Sequence, residues 1–231
     1  MKRNQATQPA AYRLVRSNRK TVAIQIEPDG EVVVRAPRRL PVGEVEFLLQ
    51  QKANWVARKQ QEVRQRALAH PAPVLRTGEG LPFLGRTLMA VPGAGVDVER
   101  VGEVLMLPAT NLEAALRRWY RAQALAVLTA RTAELAARHG ISYASVTVTD
   151  ARRRWGSCGA DGRIHYSWRL ILAAPEAIDY VVVHELCHRL ELNHSPAFWA
   201  QVAALLPDWQ ERERWLRDHG GLLRLFQNNP K

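Results

Sequence analysis

Apolar and polar positions alternate through TVAIQIEPDGEVVVRAP: Val22, Ile24 and Ile26 come first, then Val32 and Val34 after Pro28-Asp29-Gly30. A period of two turns one face of a strand inward, and Pro-Asp-Gly is turn chemistry, so the stretch predicts a β-hairpin. Over residues 41–67 the period becomes 3.6. Val45, Leu48, Leu49, Trp55 and Val56 share a face, with Lys59, Arg64 and Arg66 towards the end, which predicts one long basic helix. Residues 70–80 form a Pro/Gly loop, and short strands follow around LPFLGRTLMAV, at 96–98 and at 104–107. Asn111 is placed as the N-cap of a long helix carrying Leu112, Leu116, Trp119, Leu125 and Leu128 and closing at Gly140. TVTD is strand-like, and RRRWGSCGADGRIHYSWRL contains two strands joined by Gly-Ala-Asp-Gly. Pro175 opens a helix through VVVHELCHRLELNHSP, Ser195-Pro196 opens another, and Pro207-Asp208 opens a last one ending near Gly220. The pattern is α+β, with a β-rich part with a basic helix at 1–108 and a second part at 109–231.

Composition narrows the class. The chain has 231 residues and 47% hydrophobic content, enough for a real core. No run approaches about 18 apolar residues and no apolar segment follows the polar start MKRNQATQPA, so neither a membrane span nor a signal peptide is expected. Two cysteines, Cys158 and Cys187, make no disulfide framework and fit a reducing, cytoplasmic setting. The 33 Lys and Arg against 22 Asp and Glu give a formal charge of +11, which draws the protein towards polyanions.

Three of the seven histidines lie within eleven residues. On a helix, His184 and His188 are one turn apart on one face, where two neutral imidazoles can share a zinc ion. Glu185 lies beside the metal rather than on it, placed to take a proton from water. A catalytic zinc needs a third ligand, and His194 is the candidate. Six residues of unbroken helix after His188 would turn it by about 600° and carry it about 9 Å along the axis, away from the metal. The helix must therefore stop first. Asn193 is the residue expected to stop it, by entering the left-handed region, and Ser195-Pro196 then fixes His194 in a corner between two helices. Cys187 projects from another side of the helix, as a small core residue.

RSNRKTVAIQIEPDGEVVVRAP, RRRWGSC, GRIHYSWRL, IDYVVVHELCHRLELNHSPAFW and PDW resemble the successive motifs of the YgjP-like metal-dependent hydrolases. That family belongs with the minigluzincin-type zinc peptidases, near the WLM and SprT-like proteases. The resemblance covers nearly the whole chain. It implies a zincin-like catalytic domain, a sheet packed on an active-site helix. It also implies one zinc ion per chain on His184, His188 and His194, with Glu185 as general base. In this fold type a strand beside the active helix binds extended peptide, and residues 162–168 are the candidate. Tyr166, His165 or Arg154 is the candidate second donor to a developing oxyanion. Arg152, Arg153 and Trp155 have two readings, as phosphate and base contacts or as surface charge and core packing.

Three functions follow. The leading one is a zinc peptidase acting on protein or peptide, with DNA-associated proteins, the substrates of SprT-like and WLM relatives, as the expected targets and the charge concentrating it on DNA. The second is a metal-dependent hydrolase of nucleoside triphosphates, resting on metal and arginine because no Gly-rich phosphate loop is present. The third is a zinc-containing nucleic-acid-binding module, which has no use for Glu185.

Overall fold

The computed structural model describes residues 11–27, 29–71 and 80–226. Residues 72–79, most of the expected Pro/Gly loop, and Pro28 of the hairpin turn lie outside these. The chain is α+β, with three small sheets and six α-helices among the described residues. It divides into two compact units at Pro71 and Ala72.

In the first unit, β2 (Ala23–Ile26) and β3 (Val32–Pro37) form the expected antiparallel hairpin, with Ile26 opposite Val32. Gly30 closes the turn at φ 88°, its N–H donating to Glu27 O at 2.8 Å. A strand absent from the sequence reading, β1 (Tyr12–Ser17), pairs in parallel with β3, giving the order β1-β3-β2. The single long helix is two: α1 (Val42–Gln51) and α2 (Ala53–Ala69). Lys52 leaves helical geometry (φ −100°, ψ 9°), and its N–H is shared between the carbonyls of Leu48 and Leu49, so the turn tightens there without proline or glycine. Val32, Val34, Ala36, Val45, Leu49 and Val56 make this unit's core.

The second unit begins before the boundary expected near residue 109. Strands β4 (Gly80–Phe83), β5 (Arg86–Pro92), β6 (Glu99–Val101) and β7 (Val104–Leu107) form a sheet of order β4-β5-β7-β6. Leu81, Leu88, Leu105 and Leu107 from it share one core with α3 (Leu112–His139), so a cut at 109 would open that core. β6 lies three residues beyond the strand expected at 96–98. Leu84 and Gly85, at φ 50° and 72°, make the two-residue turn that suits a twisted hairpin. Asn111 takes the N-cap position of α3, but in a left-handed conformation and with no side-chain cap bond; Gly140 ends the helix at φ 65° as expected.

The third sheet positions the site. β8 (Ser145–Thr149) runs parallel to β10 (Arg163–Ser167), and β9 (Gly156–Cys158) runs antiparallel to it, in the order β8-β10-β9. A short 3-10 helix (Trp168–Leu172) leads into α4 (Pro175–Cys187), then α5 (Pro196–Leu205) and α6 (Trp209–Asp218). Proline opens α4 and α5 as read from the sequence. No helix among the described residues is long and apolar enough to cross a membrane.

Candidate metal centre

α4 is buried along most of its length, including Val181, Val182, Val183, Leu186 and Cys187. This leaves His184 half-buried on the open side and Glu185 4% exposed. The helix ends at Cys187, with His188 as its C-cap, five residues before the expected stop at Asn193. Asn193 does not enter the left-handed region. What ends the helix is a tightened turn. Arg189 and Leu190 donate to carbonyls three residues back, and the His188 ring takes the Glu191 carbonyl as acceptor of its Nδ1–H at 3.1 Å. A carbonyl only accepts, so this bond fixes the tautomer and leaves the His188 Nε2 lone pair free.

Ser195 restarts the helix, its Oγ accepting from Phe198 N at 3.2 Å. His194 is thereby held in the corner, and its Nε2 lies 3.0 Å from His184 Nε2. One ligand atom from each of His184, His188 and His194 lies within 4.8 Å of the others. Phe198, fully buried, supplies the floor. Its ring is stacked on His188 (4.5 Å, 27°) and edge-on to His184 and His194. Trp199 lies flat on His194, Trp209 on Trp199, and Tyr180 on Trp209, an aromatic layer backing the most exposed of the three histidines.

The electrostatics suit metal binding. Burial, then the neighbouring charges of His188 and His194, push His184 down to about 3, and burial also lowers His188. Both rings are neutral at physiological pH, the form that ligates. Burial pushes the Glu185 carboxyl up to about 8, with Arg154 pulling the other way. Glu185 Oε2 is buried without a hydrogen-bond partner. Three converging nitrogens, one side open to solvent and an unspent carboxylate oxygen fit a tetrahedral ion with one exchangeable position. Zinc–nitrogen bonds of about 2.0–2.1 Å would set the nitrogens roughly 3.3 Å apart.

Gly156-Ser157, which the sequence also allows as a turn between strands, lies within β9, and a glycine inside a strand is a signal of close approach. A Cβ there would lie 2.5 Å from Glu185 Oε1 and 2.8 Å from its Cγ. The glycine lets β9 lie directly against the Glu185 carboxylate. A cleft of about 310 Å³ opens beside it, lined by Arg154, Trp155, Tyr180, Glu185, Glu213 and Arg217 among others. Glu213 and Arg217 lie outside every motif, and Tyr180, inside one, had no site role read from it.

The other expected site residues separate. Arg154 and Trp155 line the cleft, Trp155 also packing on the core. Tyr166 does not reach it: the residue is fully buried and its hydroxyl pairs with Thr132 Oγ1 at 3.1 Å. His165 alternates with Ile164 and Tyr166 on β10, so it takes the other face, where Nδ1 meets Thr147 Oγ1 at 2.6 Å. Arg152 is exposed and paired with Asp150 at 3.1 Å, and Arg153 is exposed as well. The strand expected to pair with peptide, β10, is central and bonded on both sides; the strand at the edge beside α4 is β9. Cys187 is core, as expected.

A family model described as YgjP-like, metallopeptidase domain, matches residues 20–219, a span that contains both helices of the histidine corner, Glu185 and β9. No curated protein and no solved structure matches the chain significantly.

Proposed function

Since the chain belongs to the YgjP-like family, through its metallopeptidase domain, we propose that it is a zinc-dependent peptidase of zincin-like architecture whose general base is Glu185. The observation carrying this reading is the Glu185 carboxylate, buried against Gly156 with Oε2 unpartnered, one residue from the first of three convergent histidines. A structural metal has no use for such a group.

His184, His188 and His194 would hold the ion, which supplies an acidified water and a Lewis acid for the scissile carbonyl. Glu185 takes the proton from the attacking water and delivers it to the leaving nitrogen. Burial supports this exchange by keeping its proton affinity close to neutral pH. The free edge of β9 offers backbone N–H and C=O groups to an extended peptide, setting the bond to be cut over Glu185. Arg154 is the candidate for a second donor to the oxyanion, since it alone of the sequence-derived candidates combines a cation with a place in the cleft.

DNA-associated proteins are the proposed substrates, supported by the charge of +11. One observation favours the nucleotide reading: Arg154 and Arg217 both line the cleft beside Glu185. Arg217 is partly neutralised by Glu213 at 3.7 Å, which weakens it as a polyphosphate contact.

The deciding experiment compares wild type with Glu185→Gln on a DNA-binding protein substrate, with and without single-stranded DNA, and on nucleoside triphosphates. Loss of cleavage by 10²- to 10⁴-fold in the variant, at unchanged zinc content, is expected. Equal cleavage by both proteins would refute the reading. Glu185-dependent triphosphate hydrolysis without proteolysis would replace it with the second.

A further inference from the structure

The chain's charge is unevenly shared. Residues 1–71 hold 14 Lys and Arg against 6 Asp and Glu, a formal +8, whereas residues 72–231 hold 19 against 16. The unit without the metal centre therefore carries most of the basic excess.

Topology concentrates that excess further. β1 and β3 are parallel, with Ser17 opposite Pro37, so both strands end at the same edge of the sheet. The segments leaving that edge are Asn18-Arg19-Lys20 and Arg38-Arg39. Pro37 to Leu40 is a tight turn closed by Leu40 N–H to Pro37 O at 3.3 Å, which puts Arg38 and Arg39 at its two corners. Both are exposed, as is Lys20. Arg16 fixes the turn from behind. Its Nη1 donates to Pro37 O at 2.9 Å, Arg38 O at 3.2 Å and Leu40 O at 2.6 Å. Neither residues 11–26 nor residues 32–43 contain an aspartate or glutamate. By contrast, in α2 a single glutamate, Glu62, pairs with Arg58, Lys59 and Arg66.

From this juxtaposition we infer that the end of the first sheet formed by residues 17–21 and 37–40 is a nucleic-acid phosphate-backbone site. A row of cations without an acidic partner among the described residues, on a turn held by a third arginine, matches a repeating line of phosphates, and guanidinium favours phosphate oxygens through paired N–H donors. Contacts of this kind go to the backbone and displace counterions, so binding is salt-sensitive. The inference rests on the nucleic-acid part of the proposed function and gives it a location, in a unit other than that of the metal.

The test is fluorescence anisotropy of the full chain with a labelled 20-nucleotide oligonucleotide, single-stranded and as duplex, over a range of salt. Lys20→Ala/Arg38→Ala/Arg39→Ala is compared with a matched-charge control, Arg138→Ala/Arg163→Ala/Arg214→Ala. Expected is a Kd raised at least tenfold in the first variant and a salt slope shallower by about 2, with much smaller changes in the control. Equal losses in the two variants would overturn the site in favour of diffuse charge. Tighter binding to phosphatidylserine vesicles than to the oligonucleotide would overturn nucleic acid as the partner. Because all three side chains are exposed, folding is expected to hold; a charge-retaining Arg38→Lys/Arg39→Lys variant that keeps binding separates lost charge from lost fold. Glu185→Gln is measured in parallel: it binds as wild type does, so a failed peptidase reading would leave this result standing.

Discussion

Gly156 is where a missing side chain decides the chemistry. Alanine would drive its Cβ into the Glu185 carboxylate, and the displaced group would be the proposed general base. Gly156→Ala is expected to lower kcat/KM about 100-fold, a cost typical of misplacing a catalytic group by about 1 Å, while zinc content stays at one per chain. Metal analysis beside a peptide assay checks both halves; a variant that lost its zinc would place the glycine's role elsewhere. His184, Glu185 and His188 were legible because their spacing is local and the helix period acts on it directly. Gly156, Tyr180 and Phe198 were not, because their importance lies in what faces them across the fold. Tyr166 shows the converse: a polar residue near the motif in sequence, yet turned into the core towards Thr132.

At the scale of elements, the hairpin, Pro175 and Ser195-Pro196 were readable because turn and capping chemistry is written in neighbouring residues. Strand order was not. β1 joins its sheet through a parallel partner some twenty residues away, and β10 proved central only once β8 and β9 were placed on either side. One side chain ties several elements of the second unit together. Asp150, just after β8, accepts from Trp168 Nε1 and Arg169 Nη1, both at 2.8 Å, and fully buried Arg169 goes on to Leu225 O. Burial pushes the Asp150 carboxyl up, but hydrogen bonds from Trp168 and Arg169 and the charge of Arg169 outweigh it and hold it down to about 2. Its folded value lies below the unfolded value of about 3.9, so its stabilisation is complete above that pH and disappears as pH falls through 2. Asp150→Asn is expected to cost about 2 kcal/mol at pH 7, less than the 3–5 kcal/mol of a wholly buried pair because the Asp150 side chain is 38% exposed. Urea midpoints at pH 7, 4 and 2.5 should show the gap between variant and wild type closing towards the acid end.

On the scale of the molecule, one ion would join α4 to the start of α5 across the corner between them. Binding to the folded state alone stabilises it by about 2.7 kcal/mol when free zinc is a hundredfold above Kd. Calorimetry should therefore find a lower Tm after chelation, restored by zinc, with Glu185→Gln responding like wild type and His194→Ala responding weakly. The melting curve and the peptide assay would then read separate properties of one centre. The layer of rings behind His194 adds a means of watching it. Trp199 lies flat on that imidazole at 5.8 Å and passes the contact to Trp209. An ion bound at His194 would change the charge beside this indole, so the centre would carry its own optical reporter: added zinc is expected to shift the intrinsic emission of the unlabelled chain, and to do so weakly in His194→Ala.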